Sequence, residues 1–290
     1  MNGKNTLWLI ANSASGSNDD AALTQLIAGL TEAGAKPAKV IDCQTEELPD
    51  RAELERHDVA RLAIFTGDGT ASAAISNIEG WDGEVLVLPG GTANLLAKAL
   101  HGDRAADAII AAMGAGLMAQ ITRNCIRTSQ GIALIEVLAG PGATWSDVRE
   151  GIREGDIAET ATKAVEAVRQ SAVGPMVVLA EPAIGRNTGY AGVRLAPHAA
   201  GLSVDGYGAE TVSDYLKQGM ALLRRDFREG PHDELGEHDA VLCRSADGSP
   251  MALMLDGERR SGSGEERFSL AQLGVNLLGT RTCPGGSYTP

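Results

Sequence analysis

Twice within the first hundred residues a short apolar run ends on glycines and gives way to a helix-like run. Leu62-Ala63-Ile64-Phe65 leads through Thr66-Gly67-Asp68-Gly69-Thr70 into Ala71–Ile75, and Glu84–Leu88 leads through Pro89-Gly90-Gly91-Thr92-Ala93-Asn94 into Leu95–Leu100. Continuous apolar runs of this length suit parallel strands buried on both faces. A strand that turns through glycine into a helix leaves bare backbone N–H groups and a helix dipole at one point, as a phosphate requires. Two such turns on successive strands point to a parallel sheet covered by helices, with ligands beyond its C-terminal strand ends.

The rest of the first 120 residues keeps that alternation. Leu7–Ala11 reads as a strand closed by Asn12-Ser13-Ala14-Ser15-Gly16. Asp19 or Asp20 can cap a helix carrying Leu23, Leu26, Ile27 and Leu30, which ends at Gly34. Lys39–Asp42 reads as a second strand, Arg51–His57 as a polar helix, 71–78 as the helix after the first glycine turn, and Asp103–Met113 as continued helix. Near Gln120–Arg123 the pattern changes to short apolar segments separated by turns: Ile132–Leu138, Met176–Ala180, Ala240–Leu242 and Met251–Leu255. Two helices interrupt them, at 157–170 and roughly 210–227. The expected architecture is therefore two-domain. An α/β nucleotide-binding domain with a parallel sheet spans 1–122, and a β-rich, antiparallel, sandwich-like α+β domain spans 123–290, its last residues (about 15) able to return to the first. A cleft between the two is expected to receive ligand.

Composition restricts the function classes. The 290 residues are 43% hydrophobic and 22% charged, and carry a net charge of −13, so a broad nucleic-acid or anionic-lipid surface would work against the protein's own field. Membrane contact is at most peripheral. The five apolar residues Leu7–Ala11 are too few for a signal-peptide core, and no run approaches the ~18 residues of a membrane span, which gives a cytoplasmic expectation. Cys43, Cys125, Cys243 and Cys283 are scattered without zinc-site spacing and read as reduced thiols.

Each candidate residue has a functional and a plain reading. Thr66–Thr70 fits neither GxGxxG nor the P-loop fingerprint, so alone it is equally a tight turn. A carboxylate beside a phosphate is repelled unless a cation intervenes, so Asp68 is either Mg²⁺-linked or base-positioning, or bonds nearby backbone in the turn. Asp256-Gly257-Glu258 reads first as a hairpin turn, although two carboxylates at i and i+2 on an extended segment share a face and could serve a metal or a proton transfer.

Taken in order, these motifs resemble the diacylglycerol kinase catalytic-domain family, which includes bacterial diacylglycerol kinases, YegS-type lipid kinases and sphingosine kinases. Asn12–Gly16 is similar to the family's Asn-Pro-x-Ser-Gly turn, Thr66–Thr70 to its Gly-Gly-Asp-Gly-Thr loop, and Pro89–Asn94 to its Pro-x-Gly-Thr-x-Asn segment. Ala196-Pro197-His198-Ala199 and Asp256-Gly257-Glu258 look like the Ala-Pro-x-Ala and Asp-Gly-Glu signatures. The resemblance implies an ATP- and Mg²⁺-dependent kinase acting on a hydroxyl of a diacylglycerol- or sphingosine-like lipid. It places ATP on Asn12, Gly16, Thr66, Gly67, Asp68, Gly69, Thr70, Gly91, Thr92 and Asn94, Mg²⁺ on Asp68 and Asp256, and catalysis on Glu258 as proton acceptor with Asp256 and Asp68. Departures occur at Ser13, Thr66, Ser72-Ala73, Leu95 and Ala200. They motivate two alternatives, a non-catalytic nucleotide- or lipid-binding relative and a kinase of a soluble small molecule. A homodimer is compatible with either.

Overall fold

The structure, a computed structural model, describes residues 6–12, 20–141, 175–208 and 232–281. Ser13–Gly16, Asp19, Cys283 and the helices expected at 157–170 and 210–227 lie outside the described residues. In chain order the first elements are β1 (Thr6–Ala11), α1 (Asp20–Glu32), β2 (Pro37–Asp42), α2 (Arg51–Arg56), β3 (Val59–Thr66), α3 (Asp68–Asn77), β4 (Glu84–Pro89), α4 (Leu95–His101), α5 (Ala106–Gly114) and β5 (Met118–Ile121). There follow β6 (Asn124–Thr128), β7 (Gly131–Ala133), β8 (Val137–Ala139), β9 (Val177–Glu181), β10 (Ala183–Ile184), β11 (Gly192–Pro197) and β12 (Leu202–Tyr207). The last are β13 (Asp233–His238), β14 (Ala240–Ser245), β15 (Ala252–Leu255), β16 (Glu258–Ser261), β17 (Glu265–Gln272) and β18 (Asn276–Thr280). The chain divides into two compact units: one runs to Arg123 and resumes at Gln272, the other is Asn124–Ala271.

The first unit is built on a six-stranded sheet of order β2-β1-β3-β4-β18-β5. Its first five strands are parallel, and β5 alone is antiparallel to its neighbour, so the sheet is mixed. The reason is topological: β5 is the last strand before the chain leaves for the second unit and β18 the first after it returns, so the outgoing and incoming strands lie side by side in opposite directions. The inner strands β1, β3 and β4 are apolar along most of their length because both faces are covered. Leu7, Leu9, Phe65, Leu86 and Leu88 pack with Leu26 and Leu30 of α1 and Ile109 and Ile110 of α5. The alternate residues Ile10, Leu62, Ile64, Val85 and Val87 are also buried, as are Leu54 of α2 and Ile75 of α3. The polar helix α2 starts where Asp50 accepts a hydrogen bond from the Glu53 N–H at 2.7 Å.

In the second unit two six-stranded sheets, β10-β9-β14-β17-β6-β7 and β13-β12-β11-β8-β15-β16, share one core. Val193, Leu195, Val204, Leu253 and Leu255 of one sheet meet Ile126, Leu179, Val241, Cys243 and Phe268 of the other. The pairings are antiparallel, as the turn-separated apolar segments imply. Burial pushes the Cys243 thiol up to about 12, which leaves it an inert core residue. The apolar stretch Ile132–Leu138, expected as one strand, is two: β7 belongs to one sheet and β8 to the other, with Leu134-Ile135-Glu136 as the corner between them.

One buried polar contact ties β18 into the first unit. His101 of α4 is 1% exposed, and its Nδ1 lies 2.8 Å from the Thr280 hydroxyl. Burial, reinforced by the nearby Arg104 charge and partly opposed by the Val87 backbone, lowers its pKa from 6.5 to about 4. An unfolded chain therefore takes up a proton between pH 6.5 and 4 that the folded protein refuses, so the contribution is present above pH 6.5 and lost as pH falls toward 4. At 1.36 kcal/mol per pH unit the loss is roughly 3 kcal/mol. Urea unfolding from pH 7.5 to 4 is expected to show this fall, and His101→Gln is expected to flatten it; an unchanged slope in the variant would assign the pH dependence elsewhere.

Candidate functional site

In the order β2-β1-β3-β4 the direction of strand addition reverses between β1 and β3, and ligands of open α/β sheets sit beyond the carboxyl ends at that point. Ala11 pairs with Phe65 and Thr66 with Pro89, so β1, β3 and β4 end level with one another. This brings together Asn12, the Thr66–Thr70 turn and the Pro89–Asn94 turn, three of the segments picked out in the sequence. Gly16 lies outside the described residues.

The first turn is tighter than its glycines suggest, because the helix opens at Asp68 and not at Ala71. Gly67 is its extended N-cap and offers no side chain, and the first helical bond runs from the Ala71 N–H to the Gly67 carbonyl at 3.0 Å. Asp68, Gly69 and Thr70 thus form the first turn of α3, where backbone N–H groups have no intrahelical acceptor. Thr66 is buried and its hydroxyl donates to the Gly67 carbonyl at 3.1 Å.

The second turn packs backbone to backbone on the first. A Cβ on Gly90 would lie 2.6 Å from the Thr66 nitrogen, and one on Gly91 would lie 2.5 Å from the Gly67 Cα, so neither position tolerates a side chain. Asn94 closes the turn in the left-handed conformation, φ 53°. Its side chain accepts from the Gly91 N–H at 2.7 Å and donates to the Gly91 carbonyl at 2.8 Å. Gly91 and Asn94 therefore shape the loop and spend these groups on each other, whereas Thr92 at its tip is exposed.

Asp68 locks the two turns together. Its carboxylate accepts from the Leu95 and Leu96 N–H groups, both at 3.0 Å, and so caps α4 from another element. The plain reading of Asp68 as a backbone-bonding residue is the observed one, although the backbone lies 27 residues on rather than within its own turn. Leu95, a departure from the family pattern, supplies one of those N–H groups through its main chain.

Asp256 and Glu258 belong to the second unit. Asp256 and Gly257 have φ of 49° and 91°, the two positive values of a type I′ hairpin, and join β15 to β16. Asp256 is buried, and its carboxylate accepts from the N–H groups of Leu134 at 2.6 Å, Ile135 at 2.9 Å and Glu136 at 2.9 Å. Glu258 is exposed, 3.7 Å from the Arg260 guanidinium. The Ala196–Ala199 motif covers the end of β11 and the following turn, closed by the His198 N–H on the Gly201 carbonyl at 2.8 Å.

Both carboxylates expected to hold Mg²⁺ are bonded to backbone. Each is committed to two or three backbone N–H groups, and among the described residues no group of three His, Cys, Asp or Glu side chains could hold a metal ion. No helix among the described residues is long and apolar enough to cross a membrane.

The comparisons agree with this geometry. The family model for the diacylglycerol kinase catalytic domain matches residues 6–134. No curated protein matches the chain. Among solved structures, a diacylglycerol kinase from Bacillus anthracis str. Sterne is similar at 15% identity, with 94% of this chain and 96% of that one covered and a TM-score of 0.59. Two further structures from the same organism, provisionally named as diacylglycerol kinases, are similar at 15% and 14% identity, with TM-scores of 0.60 and 0.59. They cover 96% and 97% of this chain, and 96% and 99% of their own length is matched. At such identities the likeness is one of fold. In motifs, strand order and family match, residues 6–134 are similar to the diacylglycerol kinase catalytic domain.

Proposed function

We propose that this protein is a lipid kinase that transfers the γ-phosphate of ATP to a hydroxyl of a lipid or lipid-like alcohol. The observation that carries the reading is the convergence of three strand ends at the switch point of a domain of this family, two of them turning through glycine into helices. The first turn of α3, from Asp68 to Thr70, presents backbone N–H groups and the positive end of a helix to the phosphates. Thr92 and Asn12 border the same edge. Thr66, Gly91 and Asn94 contribute by holding the two turns in contact.

Phosphoryl transfer demands mainly positioning and neutralisation of charge. Glu258 takes the proton of the acceptor hydroxyl as that oxygen bonds to the γ-phosphorus, and the bond from phosphorus to the bridging oxygen breaks to release ADP. We assign Asp68 and Asp256 to positioning: one fixes the phosphate turns, the other fixes the hairpin that bears Glu258. The commitment of both carboxylates to backbone favours a second reading, a relative that binds nucleotide without transferring phosphate. Calorimetric titration of ATP with and without Mg²⁺, beside a labelled-ATP screen of lipid alcohols, separates them, because Mg²⁺-independent binding without transfer supports only the second.

Glu258→Gln is expected to lower kcat at least ~100-fold, the lower end of general-base contributions, while ATP affinity stays within about 3-fold. Turnover equal to the parent's would remove Glu258 from the chemistry. Asp68→Ala is expected to destabilise the protein by about 1–2 kcal/mol, as loss of a helix cap does, and to weaken ATP binding. Asp68→Asn, which keeps one carboxyl-type oxygen, should fall between. A role as metal ligand only would instead leave urea stability unchanged and alter the Mg²⁺ dependence alone.

A further inference from the structure

Beside the hairpin that bears Glu258 lies a charge network to which the proposed chemistry assigns no task. Arg194 of β11 stands directly opposite Asp205 of β12 and donates from Nη1 to its Oδ2 at 3.0 Å. From Nε it donates to Oε2 of Glu136 at 2.8 Å. The three side chains are only 24%, 11% and 15% exposed. Withdrawing such ions from water costs several kcal/mol each, and apolar residues of similar size commonly hold strands together as well. A buried network of this kind therefore points to a geometric duty more than to stability.

Glu136 shows what that duty is. It is the last residue of the corner between β7 and β8, and its backbone is bonded to Asp256 in both directions. The Glu136 N–H donates to Asp256 Oδ1 at 2.9 Å, and the Glu136 carbonyl accepts from the Asp256 N–H at 3.0 Å. Its side chain is held by Arg194, which also bonds Asp205 on the neighbouring strand. Glu258 follows Asp256 by two residues across the type I′ turn and opens β16, where it pairs with Leu255, the residue before Asp256. The sequence of contacts is Asp205 to Arg194 to Glu136 to Asp256 to the Glu258 hairpin, entirely within the second unit.

We propose that Arg194 is a positioning residue for Glu258: by clamping Glu136 beside Asp205 it fixes the 134–136 corner on which Asp256, and with it the hairpin, is seated. The proposal rests on the reading of Glu258 as proton acceptor. A planar guanidinium can serve both carboxylates from separate nitrogens in fixed directions, and a lysine ammonium cannot reproduce that fork. Displacement of a reacting group by about 1 Å can cost on the order of 100-fold in rate.

The test uses the full chain with Arg194→Lys, which keeps the charge, and Arg194→Met, each alone and combined with Glu258→Gln. Amide exchange at Leu134, Ile135, Glu136 and Asp256 and labelled-ATP transfer to lipid vesicles are measured. In Arg194→Lys we expect exchange at the corner to quicken about 10-fold or more, kcat to fall ~10–100-fold and the KM for ATP to stay within about 3-fold. The Arg194 effect on kcat should vanish in the Glu258→Gln background, which a general loss of stability would not produce. Unchanged corner exchange, or unchanged kcat where Glu258→Gln is inactive, overturns the proposal and leaves the kinase reading standing. Absence of transfer from the parent protein overturns the kinase reading instead, and the exchange measurement by itself then decides whether Arg194 seats the hairpin. Should Arg194→Met fail to fold, Arg194→Lys carries every arm.

Discussion

The second unit depends on one carboxylate at the place where its chain changes sheets. A strand passing from one layer of a sandwich to the other loses its ladder partners at the corner, and buried N–H groups left unbonded there would cost about 1–3 kcal/mol apiece. Asp256 accepts all three, from Leu134, Ile135 and Glu136. It reaches them because the type I′ turn places it at the end of β15, which pairs with β8 immediately beyond the corner. One side chain thus closes a hairpin and completes a sheet-to-sheet crossing. The result is a firmly seated platform from which Glu258, two residues on, projects into solvent.

Asp68 performs the comparable task in the first unit by different means. The turns after β3 and β4 touch through Gly67 and Gly91 with no side chain between them. The bonds from Asp68 to the Leu95 and Leu96 N–H groups connect α3's first turn to the start of α4. Partial positive charge at the start of α4 also offsets part of the field that a bare carboxylate would exert on a neighbouring phosphate. Under the proposed kinase reading, phosphates meet backbone groups here, and among the described residues no acidic cluster that could hold a metal ion stands beside them.

Fold and function stand on different grounds here. Similarity over nearly the whole length at about 15% identity fixes the architecture, and architecture alone hosts many chemistries. What points to phosphoryl transfer is local: the first turn of α3, whose N–H groups have no intrahelical acceptor, and a solvent-facing glutamate on a hairpin. Under the proposed kinase reading, the choice of acceptor rests on side chains whose register the motifs do not encode.

The sequence by itself determined the periodicities and therefore the classes of element. Continuous apolar runs ending in glycine specified parallel strands opening into helices, and Asp-Gly between extended segments specified a hairpin, because these patterns reflect local backbone sterics and two-sided burial. It also marked Asp68 and Asp256 as unusual without revealing their partners. Only the tertiary structure decided that Ile132–Leu138 breaks into two strands, that β5 runs against β18, and that Gly91 and Asn94 bond each other. It alone showed that Asp68 caps a helix 27 residues away and that Arg194 reaches the Glu258 hairpin through Glu136. The physical reason is the same in each case: these outcomes are set by hydrogen-bond partners distant in sequence, and which donor a carboxylate meets depends on strand order and register rather than on its neighbours along the chain.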